Sequence, residues 1–275
     1  MNPLSMCFAG GTGLAIGSFL NVVAYRVPLG RSLSYPPSAC PTCGARIRAR
    51  DNVPVLSWLL LRGRCRNCAS AISARYPVVE AATAVFFVLV VLVFGPAVVA
   101  AHTPPAAIGA ALALVAYLYL AAISCALTLI DLDVHRLPDR IVLPAYGVGA
   151  VLLGASALMR GQLGNLLGAA VGLAALGLLY LLLAFVKPGA MGMGDVKLAG
   201  VLGLFLGWLG LPQLAIGAFA GFLLGAVFGV LLLLTRRATR ASAIPFGPWM
   251  LAGAWIGIFF GQAIWSAYIG VFGLA

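Results

Sequence analysis

The sequence predicts an all-α polytopic membrane protein, with about eight transmembrane helices and a cytoplasmic four-cysteine zinc-binding loop domain. Two observations carry the prediction. Hydrophobic residues make up 63% of the 275-residue chain and charged residues only 8%, a balance outside the range of soluble domains. Apolar runs of spanning length recur along the chain, separated by short polar gaps, while two C-x2-C knuckles interrupt the one long polar stretch.

The apolar runs lie at residues 4–25, 78–100, 106–130, 140–158, 165–186, 197–211, 213–235 and 248–272. The sixth is short and rich in glycine, so its limits are the least defined. The first run lacks a basic leading segment and is followed by Asn21 and a long basic loop. It reads as a retained span, not a cleaved signal. The chain therefore divides into a first transmembrane helix at 1–25, a zinc-binding loop domain at 26–76 and a helical core of about seven spans at 77–275.

The net charge of +11 is no sign of nucleic-acid binding, because the basic residues cluster in gaps between spans. Arg26, Arg31, Arg46, Arg48, Arg50, Arg62, Arg64, Arg66 and Arg75 fill the first long loop. Alternate gaps return to the same side with Arg136, Arg140, Lys187, Lys197, Arg236, Arg237 and Arg240, leaving Arg160 alone on the other. By the positive-inside rule the basic side is cytoplasmic and both termini are periplasmic. The basic loop is also suited to anionic lipid headgroups or to an acidic residue of a substrate.

Cys40-Pro41-Thr42-Cys43 and Cys65-Arg66-Asn67-Cys68 have the spacing of a tetrahedral zinc site. Four thiolates leave no open position for water, so the zinc is structural, and it stabilises a loop with little core of its own. Disulfides or a redox dithiol are the competing uses of such cysteines. Gly44 and Gly63 lie beside the knuckles. Between the knuckles, Val53–Leu61 is too short to span, and it reads either as an element on the bilayer surface or as core of the zinc domain.

Only six residues are acidic: Asp51, Glu80, Asp131, Asp133, Asp139 and Asp195. Carboxylates beside apolar spans are costly and call for a use. Asp195 sits in Gly192-Met193-Gly194-Asp195-Val196-Lys197, where glycines let the backbone approach a substrate or another helix. Asp131 directly follows the third span and is the deepest of the carboxylates at 131–139. Asp139 is explained as a cap for the next helix, and Asp133 as a partner for Arg136 or His135. Charge topology puts Asp131 and Asp195 on one side. Two such carboxyls sharing a proton can act as base and acid on a peptide carbonyl, the chemistry of aspartyl proteases. Glu80, in the first turn of the second span, either complements the helix dipole or lines the site. Asn21 and Arg26 either face the site or anchor the first span at the interface.

The same residues resemble the bacterial prepilin peptidases, intramembrane aspartyl proteases of the G-x-G-D type. The resemblance rests on Ser18-Phe19-Leu20-Asn21 with Tyr25-Arg26, the two knuckles, Asn52-Val53-Pro54 with Ser57-Trp58, and Arg75-Tyr76-Pro77 with Glu80. It continues through Ile130-Asp131, Leu137-Pro138-Asp139, Gly192–Lys197 and Ile244-Pro245-Phe246-Gly247-Pro248. Asp51 departs from it, since many members have Glu before this Asn-x-Pro. The resemblance implies that Asp131 and Asp195 are the catalytic pair. It also implies that the substrate is a type IV prepilin or type II secretion pseudopilin, cut after a glycine on the cytoplasmic side in the bacterial inner membrane. Members with the cysteine loop often also N-methylate the new N-terminus with S-adenosylmethionine, for which no binding residues can be read here. A transporter using intramembrane carboxylates and a zinc-stabilised membrane scaffold are the alternative functions.

Overall fold

In the computed structural model, residues 3–186, 191–236 and 245–273 are described; Lys187, Arg237, Arg240 and Ile244 lie outside them. Among the described residues the chain is helical, with two isolated β-bridges. Helices α1 (Pro3–Arg26), α3 (Arg75–Val99), α4 (Pro104–Val134), α5 (Asp139–Arg160), α6 (Leu163–Val186), α8 (Leu211–Leu234) and α9 (Gly247–Val271) are each long and apolar enough to cross a membrane. The short helix α2 is Leu56–Leu60.

The sixth apolar run forms α7 (Met193–Leu209), which has only 17 residues. At 1.5 Å per residue it is about 25 Å long, near the lower limit for a span. Every residue from Leu198 to Trp208 is buried, which explains its composition: a helix surrounded on all sides is apolar all round. Its Gly203 and Gly207 meet the backbone of α6 at Gly172 and Gly168 so closely that a methyl group on any of them has no room. Close backbone approach through small residues is the way helices pack where the solvent is itself apolar.

The chain forms two compact units. The first holds residues 1–99 with the middle of α4, Tyr117–Ala126. In it α1 lies against α3, with Gly13 and Gly17 directly over the α3 backbone at Ala84 and Glu80. Phe94 and Tyr117 stack at 4.1 Å between ring centres. The second unit holds residues 100–116 and 127–275. Here α5, α6, α8 and α9 all contact α7, and α8 packs along α9.

Candidate active site

Within the second unit, Asp131 lies in the last full turn of α4. The sequence puts it just past the helix, but the helix runs one turn further, to Val134. It ends at His135, which adopts the left-handed conformation (φ 51°, ψ 44°) and returns its N–H to the Asp131 carbonyl. Asp131 is only 4% exposed. Its Oδ2 accepts a 3.0 Å hydrogen bond from the backbone N–H of Gly247, the first residue of α9. The opening N–H groups of a helix have no intrahelical acceptor, so this donor is free for a carboxylate.

Asp195 is the third residue of α7, not part of a turn before it. Its Oδ2 accepts the N–H of Gly192, the residue that caps the helix, at 3.2 Å. A carboxylate in the first turn is favoured by the helix dipole. Leu137, in the turn after α4, joins the two aspartates' surroundings. A Cβ on Gly194 would come within 3.0 Å of Leu137 Cβ, and one on Gly247 within 3.2 Å of Leu137 Cδ2 and 2.8 Å of Asp131 Oδ2. Glycine at 194 thus makes room for the chain leaving α4. The Leu137–Gly194 packing thus sets the end of α4, with Asp131, beside the start of α7, with Asp195.

Lys197 is tied down two residues further along α7. Its Nζ donates to both Asp139 oxygens at 2.8 Å, and its backbone carbonyl accepts the Tyr146 hydroxyl at 2.6 Å. Asp139 therefore does not serve as the cap that the sequence suggests. Pro138 is the capping residue of α5 and makes no side-chain bond there, while the Asp139 carboxylate reaches a lysine fifty-eight residues away. A full ammonium partner is a stronger acceptor's match than a backbone amide. Tyr180 of α6 is buried in a ring cluster with Phe222 and Phe246.

In the first unit, the sulfurs of Cys40, Cys43, Cys65 and Cys68 lie within 4.8 Å of one another, with Cys40 and Cys68 at 3.8 Å. Tetrahedral bonds of about 2.3 Å to one ion require sulfurs roughly 3.8 Å apart, so the donor set fits zinc. Each knuckle is a tight loop closed by a bridge, Ala39 with Arg46 and Arg64 with Ala71. The residue after each second cysteine is left-handed: Gly44 (φ 69°) and Ala69 (φ 55°). Gly63, just before the second knuckle, is left-handed as well (φ 66°), and a Cβ there would also run into the Trp58 ring. Backbone N–H groups of Cys43 and Thr42 and the Ser70 hydroxyl pull the Cys40 thiol down to about 5, towards the thiolate a metal needs. Asp51 pairs with Arg66 at 2.6 Å, and that guanidinium holds its carboxyl below the usual range.

The remaining candidates also belong to the first unit. Asn21 bonds the carbonyls of Gly17 and Tyr76, linking α1 to the start of α3. Arg26 gathers the carbonyls of Ser32, Leu33 and Pro36. Buried Glu80 accepts the N–H of Val55 at 2.7 Å. Sequence reasoning gave no individual role to Gly247, Leu137, Tyr146 or Tyr180. The motifs around Leu137 and Gly247 were a usable signal; those tyrosines had none.

Fold and site define a class: multi-pass helical membrane proteins that bring two aspartates to adjoining helix ends and carry a four-thiol cluster able to hold a metal. Residues 12–94 match the bacterial peptidase A24 N-terminal domain, and residues 118–234 match the type IV leader peptidase family. The chain is similar to the prepilin leader peptidase/N-methyltransferase of Aeromonas salmonicida, 37% identical with 93% of this chain and 91% of that protein covered. It is 36% identical to the proteins of that name in Pseudomonas putida (95% and 92% covered) and Pseudomonas aeruginosa (94% and 91%). No solved structure matches. The chain belongs to the type IV prepilin leader peptidase family.

Proposed function

We propose that the protein removes the leader peptides of type IV prepilins and type II pseudopilins, with Asp131 and Asp195 as the catalytic pair. The observation that carries this is the close packing of Gly194, one residue before Asp195, on Leu137, in the turn that follows α4 and its Asp131. In such a pair one carboxyl keeps a proton, because two like charges acting on one substrate bond cannot both persist side by side. The ionised one takes a proton from water as its oxygen attacks the scissile carbonyl. The protonated one donates to the carbonyl oxygen, and collapse of the tetrahedral adduct expels the amine with a returned proton. Gly247 N–H, fixed on Asp131, orients one of the pair throughout.

The family's name pairs peptidase with N-methyltransferase activity, and this reading extends to the chain, with S-adenosylmethionine as donor. Two clefts in the second unit, one lined by Leu176, Tyr180 and Met250 and one by Gly168, Trp208 and Leu214, offer no carboxylate for that cofactor's ribose or amine. The residues lining those two clefts do not fit it.

Residues 26–76 act as a zinc-binding loop domain between the first span and the core, with zinc as the resident ion. The distribution of basic residues supports an inner-membrane orientation with the catalytic ends cytoplasmic and the termini periplasmic. Anionic lipid is the partner of the basic loop.

The test is cleavage of a prepilin by the purified full chain and by Asp131→Asn and Asp195→Asn. Loss in both variants, with metal content and thermal unfolding unchanged, is the expected result. Cleavage surviving either substitution rejects the pair, and no cleavage by the unmutated chain rejects the activity.

A further inference from the structure

In the first unit, α2 turns an apolar face outward. Leu56, Leu59 and Leu60 share one side of the helix and are 52%, 58% and 73% exposed. The other side is pinned. Ser57 is buried, donating to the Arg50 carbonyl at 3.1 Å and accepting Val53 N–H at 3.0 Å. Trp58 packs on Gly63 and donates its indole N–H to the Ile72 carbonyl. The leucines therefore cannot turn inward without dismantling this side.

The start of α2 is tied to α3. The helix begins beside Val55, whose N–H is held by Glu80, the sixth residue of a spanning helix. Five residues of rise put Glu80 about 7–8 Å in from the start of α3. Interfacial helices bury their apolar faces to a comparable depth, about 5–10 Å. Val55 has φ 58° and ψ −51°, a conformation that β-branched residues avoid, and Leu56 N–H closes the turn onto the Pro54 carbonyl.

Charge selects the lipid. Between residues 27 and 74 there are seven arginines (31, 46, 48, 50, 62, 64 and 66) and one acid, Asp51, a net charge of 7 − 1 = +6. Arg62, immediately after α2, is exposed, as are Arg46, Arg48, Arg50 and Arg64. Basic groups beside an inserted apolar face are the pattern of an anchor for an anionic leaflet.

We propose that α2 is a monotopic anchor: Leu56, Leu59 and Leu60 insert among the acyl chains of an anionic phospholipid leaflet, and Arg62 meets its headgroups. This deepens the lipid contact proposed above and does not depend on the catalytic assignment.

The test uses the full chain carrying Leu60→Trp, reconstituted in vesicles of phosphatidylglycerol or phosphatidylcholine with brominated acyl chains. The emission of the added indole is taken as the difference from the unmutated protein, and retained metal serves as the folding check. Expected is a blue-shifted emission quenched at least roughly twofold in brominated phosphatidylglycerol and less in phosphatidylcholine. Leu59→Trp gives the same result if the first variant fails to fold. Emission typical of water in both lipids overturns the anchor, and equal quenching in both overturns the anionic preference. A blue shift only after adding a prepilin peptide overturns it in favour of a protein-docking face. Because the readout is fluorescence, an inactive but folded chain still decides the question.

Discussion

The ammonium of Lys197 lies 2.8 Å from both oxygens of Asp139, joining the first turn of α7 to the first turn of α5. Both side chains are partly exposed, 34% and 53%, so the pair contributes only about 0–1 kcal/mol to stability. Its effect is geometric. Together with the Tyr146 bond to the Lys197 carbonyl, it fixes the rotation and depth of the helix end that carries Asp195. Lys197→Met and Asp139→Asn are each expected to lower kcat for prepilin cleavage about tenfold with KM unchanged. The exchanged pair Asp139→Lys with Lys197→Asp should recover part of it. Steady-state kinetics on the four proteins checks this. Wild-type kcat with a lowered Tm in the single variants would show a merely structural pair.

Gly247→Ala places a methyl group 2.8 Å from Asp131 Oδ2, so the carboxylate has to move. A displacement of that order at a reacting group costs about 100-fold in kcat. The expected signature is a large loss of kcat, little change in KM and unchanged thermal unfolding.

Glu80→Ala removes the acceptor for Val55 N–H, whereas Glu80→Gln keeps an oxygen at the same place. The alanine variant is expected to lose about 1–3 kcal/mol, the cost of an unsatisfied buried donor, and the glutamine variant much less. Hydrogen exchange at the Val55 amide, together with unfolding measurements, separates them.

Between residues 27 and 74 only Cys40, Ser57 and Gly63 are buried, so the loop has almost no core. Stripping the metal with a chelator, or Cys65→Ser, should unfold this segment while the helices persist. Exchange across 38–72 should rise by orders of magnitude, helical circular dichroism should change little, and added zinc should restore protection in the stripped protein only.

The spans were legible because each is a long apolar run, and their limits shift by only a few residues in the structure. The knuckles were legible because C-x2-C spacing is local. The sequence offered charge topology as a reason to pair Asp131 with Asp195, but no sequence signal gives the Leu137–Gly194 contact. Asp139 was misread because a carboxylate at a helix start looks like a cap, and its lysine is far away in sequence. Gly63 shares the left-handed backbone of Gly44, while its contact with Trp58 has no local signal in the sequence. Ala69, which shares Gly44's left-handed backbone, carries no such mark in its residue type. For Asn21, Arg26 and Glu80 the sequence offered two uses each, and their partners are backbone groups, which a sequence does not display.

The bond from Gly247 to Asp131 has a donor that belongs to the main chain. Side-chain replacement cannot delete it, so alanine scanning is blind to it and mutational drift leaves it intact unless the backbone itself shifts. Only a residue without an N–H, or an ester in place of that amide, would withdraw the hydrogen. The orientation of Asp131 is thus inherited from the fold and not from any single encoded side chain. An inhibitor designed against that orientation would face few escape routes at position 247, since the smallest change there already strikes the carboxylate.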